Sequence, residues 1–226
     1  MGGGVTVWDP VGGAEVWSKP FPERRVPATV AAPAGRRLAF SRDGSRLANW
    51  DARAGGVQLW NPADGSAAGV VPAGSSFVYA IDFFPDGSRL LVSGRDSVTL
   101  WDTATRARVA GWGGEWATAL AVSPDGRWVA TVDRDRSLRL REAETGRVVR
   151  EFVGNRLRVN CLAFSPDGTR LLTGGFDRTA RVWDVESGRE LLSLPGVTGT
   201  VTGVAWHGDR AYALDGAVRV WDAAPE

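Results

Sequence analysis

The stretch Ser165-Pro166-Asp167-Gly168-Thr169-Arg170-Leu171-Leu172-Thr173-Gly174-Gly175-Phe176-Asp177-Arg178-Thr179-Ala180-Arg181-Val182-Trp183-Asp184 decides the fold. Proline presets φ for a turn, and Asp-Gly tolerates the left-handed corner that a tight hairpin needs. The apolar run Val159–Phe164 ahead of that turn and residues 170–173 behind it therefore read as two antiparallel strands. Gly174-Gly175-Phe176-Asp177 stops the second. Residues 179–183 then alternate, Ala180 and Val182 against Arg181, which marks a third strand with one buried face. Residues 184–188 turn the chain into an outer strand, Glu190–Leu194. Four short antiparallel strands in about forty residues make a sheet that cannot bury both faces alone, so neighbours must stack on it.

Working outward, the same phrase returns along the chain. Its turn half recurs as Ser41-Arg42-Asp43-Gly44, Phe84-Pro85-Asp86-Gly87 and Ser123-Pro124-Asp125-Gly126, with a degraded copy at Trp206-His207-Gly208-Asp209. Its closing half recurs as Trp8-Asp9, Trp60-Asn61, Trp101-Asp102 and Trp221-Asp222, while Arg141-Glu142 holds the place in between. Positions 60, 101, 141, 183 and 221 step by 41, 40, 42 and 38 residues. A fixed period of this length marks a repeat architecture.

Bulk properties narrow the function classes. A chain of 226 residues fits a single all-β unit. Its 43% hydrophobic and 23% charged residues are ordinary globular composition. A formal net charge of +1, from 27 basic and 26 acidic side chains, gives no field that draws nucleic acid or an anionic membrane. Arg24-Arg25 and Arg36-Arg37 are too short for a polybasic patch. Cys161 is the only cysteine, so no disulfide forms within the chain. It sits in a strand pattern, as a small core residue rather than a nucleophile. No apolar stretch approaches bilayer length, and Met1-Gly2-Gly3-Gly4 lacks the basic cluster and apolar core of a secretory signal. The expectation is a cytoplasmic protein.

Residues 165–184 and their copies resemble the WD-repeat β-propellers of the bacterial type. The resemblance is strong at 116–142 and in the quoted stretch, good at 77–102, and weaker at 36–61 and 200–222. It implies an all-β fold in which each repeat is one blade of a β-propeller, or of an open arc of one. Four full four-stranded blades are expected, with incomplete blades at both ends. The organisation reads as a partial blade at 1–18, an irregular connector at 19–35 that holds Pro20, Pro22, Pro27 and Pro33, and repeats at about 36–72, 77–110, 116–153, 158–194 and 200–222. The partial blade has a third strand at 5–8 and an outer strand at 14–18. That outer strand either completes the blade at 201–222, giving a five-bladed ring with the strand at 5–8 left over, or the ring stays open. The open arc is favoured, as part of a longer propeller or a chain whose start lies upstream, and its two apolar flanks invite self-association.

The resemblance also implies roles for single residues. Trp60, Trp101, Trp183 and Trp221, with Trp8, are structural and belong in blade cores. Asp96, Asp135, Asp177 and Asp215 sit in the tight turn between second and third strands, where a carboxylate accepts backbone N–H bonds. In the family this Asp is often bonded to a His ahead of the first strand. That His is missing here: Gly154 is followed by Asn155, Gly74 by Ser75, Gly113 by Gly114 and Gly196 by Val197. An incomplete polar network in every blade is the expectation, with a cost in rigidity.

Catalytic chemistry finds little support. His207 is the only histidine and occupies a repeat turn, so neither a Ser-His-Asp nor a Cys-His arrangement is suggested. One His and one Cys far apart give no metal cluster. Asp133 and Asp135 alternate as a calcium loop begins, but no glutamate follows at the needed distance. No phosphate-binding glycine loop is present. No enzyme activity, no cofactor and no metal are expected. The family's usual activity is scaffolding of protein assemblies, so the partners expected are other proteins, with no nucleic acid and no membrane. Partners in the family meet the rim ahead of each first strand. There the alignment places Phe77, Trp116 and Arg158, with Trp112 in the loop just before. Two alternatives stand beside the scaffold: a regulatory propeller segment of a longer multidomain enzyme such as a bacterial protein kinase, and a TolB-like small-ligand or periplasmic propeller. The Val-x-Val-Trp-Asp endings speak against the second.

Overall fold

Every Asp-Gly turn closes an antiparallel pair, and the pairs stack into blades. The structure, a computed structural model, describes residues 4–9, 11–20, 37–51, 54–73, 77–113, 117–155 and 157–222. Among the described residues 21 strands form six sheets. A leading sheet has two strands, β1 (Gly4–Trp8) and β2 (Glu15–Pro20). Blade 1 holds β3 (Leu38–Phe40), β4 (Leu47–Asp51), β5 (Gly56–Trp60) and β6 (Ala67–Val71). Blade 2 holds β7 (Val78–Phe83), β8 (Arg89–Gly94), β9 (Ser97–Asp102) and β10 (Arg108–Gly113). Blade 3 holds β11 (Ala117–Val122), β12 (Trp128–Asp133), β13 (Leu138–Glu142) and β14 (Val148–Phe152). Blade 4 holds β15 (Val159–Phe164), β16 (Arg170–Gly175), β17 (Ala180–Asp184) and β18 (Glu190–Leu194). A trailing sheet has three strands, β19 (Gly203–His207), β20 (Arg210–Leu214) and β21 (Val218–Asp222).

The turn chemistry is repeated. The Ser41 and Ser123 hydroxyls each donate to the Asp two residues on, at 2.6 Å, and Ser165 does the same to Asp167. The same serine oxygens accept the N–H of Arg46, Trp128 and Arg170, each at 2.9 Å. Gly168, at φ 75°, takes the left-handed corner that would strain any other residue.

The core lies between blades. Leu59 of blade 1 packs with Ile81 and Leu90 of blade 2. Leu100 of blade 2 packs with Leu120 and Val129 of blade 3. Leu140 of blade 3 meets Leu162, Leu171 and Trp183 of blade 4, and Leu172 and Val182 of blade 4 meet Val204 and Ala211 of the trailing sheet. Each such side chain contributes about 1.5–3 kcal/mol on burial, so the joints rather than the separate sheets carry the stability. The leading sheet caps blade 1 with Val5 and Trp17, which pack on Leu47. The innermost strands β3, β7, β11, β15 and β19 follow one another side by side.

The arc is not closed. β2 pairs with β1, and β21 pairs with β20 alone among the described residues. The outer strand of the leading sheet therefore does not complete the trailing blade. One expectation about the tryptophans fails for the same reason. Trp8 is 57% exposed, since among the described residues no other sheet packs on that face of β1. Trp183 and Trp101 are buried, while Trp60 and Trp221 are half-buried. The strand β2 runs through Pro20, two residues into the expected connector, and residues 21–36 lie outside the described residues.

Candidate functional site

The rim is the end of the arc where first strands begin and second strands finish. Val78 pairs with Gly94 there, and Val159 with Gly175. Phe77 stands one residue ahead of β7 and is half-buried. Its ring packs edge-on against Tyr79, centroids 4.9 Å apart, and the Arg37 guanidinium lies over it at 4.5 Å. Arg37 is the rim residue that sequence reasoning missed. Counted back from the first turn residue (Ser41, Phe84, Ser123 and Ser165), it holds the position that blades 2, 3 and 4 give to Ala80, Ala119 and Cys161. An arginine in a column of small residues was the available signal. Its Nε and Nη2 are buried and meet no partner, and burial lowers its pKa from the usual value.

The other expected rim residues divide. Arg158 precedes β15, is half-buried, and its carbonyl accepts the Phe176 N–H at 3.0 Å. Phe77 and Arg158 begin blades 2 and 4, with blade 3 between them. Trp116 lies outside the described residues. Trp112 is not in a loop: it belongs to outer strand β10, paired with Val98. Its indole packs on blade 3, where a Cβ on Gly146 would stand 2.3 Å from Trp112 Cγ. It is a joint between blades rather than a rim side chain, because the outer strand continues further than the glycines around it suggest.

The turn aspartates are braced, and by a group the sequence comparison did not anticipate. In three of the four turns an arginine four residues on reaches back to the carboxylate. Arg139 Nη2 meets Asp135 Oδ2 at 2.7 Å, Arg181 Nη2 meets Asp177 Oδ2 at 3.3 Å, and Arg219 Nε meets Asp215 Oδ2 at 2.9 Å. Asp177 Oδ1 also accepts the Thr179 hydroxyl at 2.6 Å, and Asp215 Oδ2 accepts the Thr198 N–H at 2.8 Å. The Thr198 N–H, and after it Arg219, hold the Asp215 carboxyl well below the usual carboxylate range. In these three turns an arginine, not a histidine, meets the carboxylate. Asp96 differs: it is exposed, and the residue four on is Leu100.

Three closing tryptophans spend their indole N–H inside the blade. Trp183 donates to Thr173 and Trp101 to Thr99, both at 2.8 Å, and Trp60 donates to Asn49 at 2.6 Å. Trp221 donates to the Pro195 carbonyl at 3.1 Å. At the turn end, the mouth of the arc is a cavity of about 330 Å³ whose lining includes Phe40, Asp82, Phe164 and Trp206. Arg42 crosses it to the Pro166 carbonyl at 3.4 Å. Among the described residues no group of three or more His, Cys, Asp or Glu side chains is placed to hold a metal ion, and no helix is long and apolar enough to cross a membrane.

Three segments match the WD40 model (WD domain, G-beta repeat): residues 68–102, 109–141 and 146–184. Each matched segment starts at the outer strand of one blade, or in the turn just before it, and ends on the third strand of the next. The sequence repeat is thus staggered against the blade and ties neighbours together covalently. The fold is an all-β open array of four-stranded blades, and the three matched segments within it are WD40 repeats. No curated protein matches the chain.

Proposed function

We propose that this chain is a non-catalytic scaffold that binds other proteins through its rim, at Phe77, Arg158 and Trp116. One observation carries the proposal: the Arg37–Phe77–Tyr79 cluster, where an aromatic pair and a guanidinium meet at the opening of adjacent blades. Aromatic and arginine side chains are the residues most enriched at binding hot spots. WD repeats generally mediate protein–protein contacts, which supports the scaffold over a catalytic role. We place the scaffold in the bacterial cytoplasm, which accords with its single cysteine.

The test is an affinity pull-down from the native host with variants matched for melting temperature. Phe77→Ala with Trp116→Ala is expected to lose the partner, and Asp125→Lys with Asp167→Lys at the turn end is expected to keep it. The reverse pattern would mean that the partner binds the other end.

A further inference from the structure

Neighbouring blades are locked by one joint that recurs along the arc, and one copy of it stands partly empty. In the joint between the leading sheet and blade 1, the Trp17 indole covers the turn at Gly65: a Cβ on Gly65 would stand 2.7 Å from Trp17 Cδ2. Trp17 Nε1 donates to the Pro62 carbonyl at 2.7 Å. Between blades 2 and 3, Trp112, two residues further along its strand than Trp17, covers Gly146. Above that joint Arg89 of blade 2 makes an ion pair with Glu144 of blade 3.

Between blades 3 and 4 both elements change. Counted from the closing residues Trp8 and Arg141, Arg150 takes the position of Trp17. Gly188 takes that of Gly65, and Val185 that of Pro62. The Arg150 stem lies on the turn, Cδ 2.8 Å from where a Gly188 Cβ would stand, but an aliphatic stem is thinner than an indole. A cavity of about 430 Å³ remains, with Trp128, Leu140, Val149 and Val185 among its walls and Arg150 and Glu186 beside them. That volume lies within the range of about 300–1,000 Å³ typical of ligand sites. Arg150 Nε is buried there with no partner. Trp128 stands where blade 2 has Arg89, so Glu186, the counterpart of Glu144, lacks its arginine.

We infer that the joint between blades 3 and 4 is a socket for an aromatic side chain of a partner polypeptide, with a basic residue beside it to meet Glu186. An indole covers the matching turn glycine in two other joints, in one from the position of Arg150 (Trp17) and in the other from that of Phe152 (Trp112), and Phe152 packs on Trp183 instead. The ring lies on Leu140, Val149 and Val185, and the Arg150 guanidinium supplies a cation–π face. The site is independent of the rim, being built from β12, β13, β14 and the turns of blade 4 that face them.

The probe is a synthetic peptide of residues 106–113, the segment that fills the neighbouring joint and carries Arg106, Arg108 and Trp112. Titrated into the whole chain, it is expected to bind and to shift the amide resonances of Val149, Thr169 and Glu186. A peptide with Trp112→Ala is expected to bind at least about tenfold more weakly. The protein variant Arg150→Trp, which installs the counterpart of Trp17, fills the socket and weakens binding at least about tenfold. Glu186→Lys, at an exposed position, weakens it without burdening the fold and keeps the test valid if Arg150→Trp does not fold. Absence of binding up to about 1 mM, shifts confined to another surface, or binding that neither protein variant alters would overturn the proposal. Phe77→Ala leaves the peptide's affinity unchanged, so failure of the rim does not count against the socket.

Discussion

Arg141 and Asp133 form a buried ion pair, Nη2 to Oδ2 2.5 Å, where blades 2 and 4 place a tryptophan. Arg141 Nε points to the Thr131 hydroxyl at 3.2 Å, and Thr131 is the counterpart of Thr173, which takes the Trp183 indole N–H. Arg141 Nη1 donates to the Gly146 carbonyl at 3.0 Å. The guanidinium thus keeps the tryptophan's anchor and adds a carboxylate: Asp133 ends β12 where β8 and β16 end in Gly94 and Gly175.

Asp133 also meets Arg139 Nη1 at 2.7 Å, so it is the removal of Asp133 that strands a buried charge, the Arg141 guanidinium. Asp133→Ala is expected to destabilise by about 3–5 kcal/mol. The double variant Arg141→Trp with Asp133→Gly, which rebuilds the blade 4 pattern, is expected to be neutral or to stabilise by about 1–4 kcal/mol. Urea denaturation of the single and double variants checks both. Equal losses in the two would show that the pair is not exchangeable for the indole.

The graded burial of the closing tryptophans predicts graded losses. Trp183→Ala empties a fully buried site and should cost about 3–5 kcal/mol. Trp8→Ala, at an uncovered flank, should change stability by less than about 0.5 kcal/mol. Matched melting curves decide, and an unchanged curve for Trp183→Ala would remove it from the blade core.

Much of this architecture was legible from local signals. Asp-Gly turns, Val-x-Val-Trp-Asp endings and a near-constant period are short-range, so the blades could be read directly, while the open arc was only favoured over a five-bladed ring. The side-chain roles that failed depend on neighbours in space. Trp8 carries the same motif as Trp183, but among the described residues no blade covers it as blade 3 covers Trp183. Trp112 sits among glycines that read as a loop, yet its ring is fixed by Gly146 of the next blade. The Arg139, Arg181 and Arg219 braces were visible as a spacing of four from each Asp, but on a strand that spacing suggests no contact until the turn is drawn. Arg37 stood out only once its column of small residues was aligned.

Acid should weaken the turns in a defined window. The Ser41 hydroxyl, then Ser45, lower the Asp43 pKa from 3.8 to about 2. Arg147, then Thr145, lower Glu142 from 4.5 to about 2. A folded value below the unfolded one stabilises the fold above the unfolded value, and that stability is lost as pH falls through the folded value. Stability is therefore expected to hold from neutrality down to the upper values of 4.5 and 3.8, then decline toward about 2. Ser41→Ala should raise the Asp43 titration toward 3.8, read by carboxyl NMR. Wild-type Asp43 titrating as an ordinary aspartate would contradict the turn geometry.

Arg37 is a charge held at a cost. Its Nε and Nη2 are buried without partners, and an unmade hydrogen bond of a buried group costs about 1–3 kcal/mol, more when charged. Arg37→Met keeps the stem over Phe77 and removes the charge, so it should raise the melting temperature. If rim binding uses this guanidinium, the same variant loses the partner while gaining stability. A lower melting temperature would show that the cation–π contact outweighs the unmet donors.

The two flanks of the arc are complementary by construction. In blade 4 the row Ala163–Leu172–Val182 is buried against the trailing sheet. Its counterpart in the trailing sheet is the row Ala205–Tyr212–Val220, with Val218 70% exposed beside it. At the other flank Phe40 is 50% exposed and Trp8 uncovered. A surface that fits the next blade at one end and the previous blade at the other would let copies meet head to tail, and the edge of β21, which pairs with β20 alone among the described residues, would add backbone groups to the contact. Sedimentation velocity is expected to show self-association that grows with concentration. Val218→Lys with Val220→Lys, which places charge on the trailing flank without touching a buried side chain, is expected to abolish it. A wild-type chain that stays monomeric into the high micromolar range, with β2 hydrogen-bonded to β21 in one sheet, would show instead that the arc closes on itself in solution as a five-bladed ring.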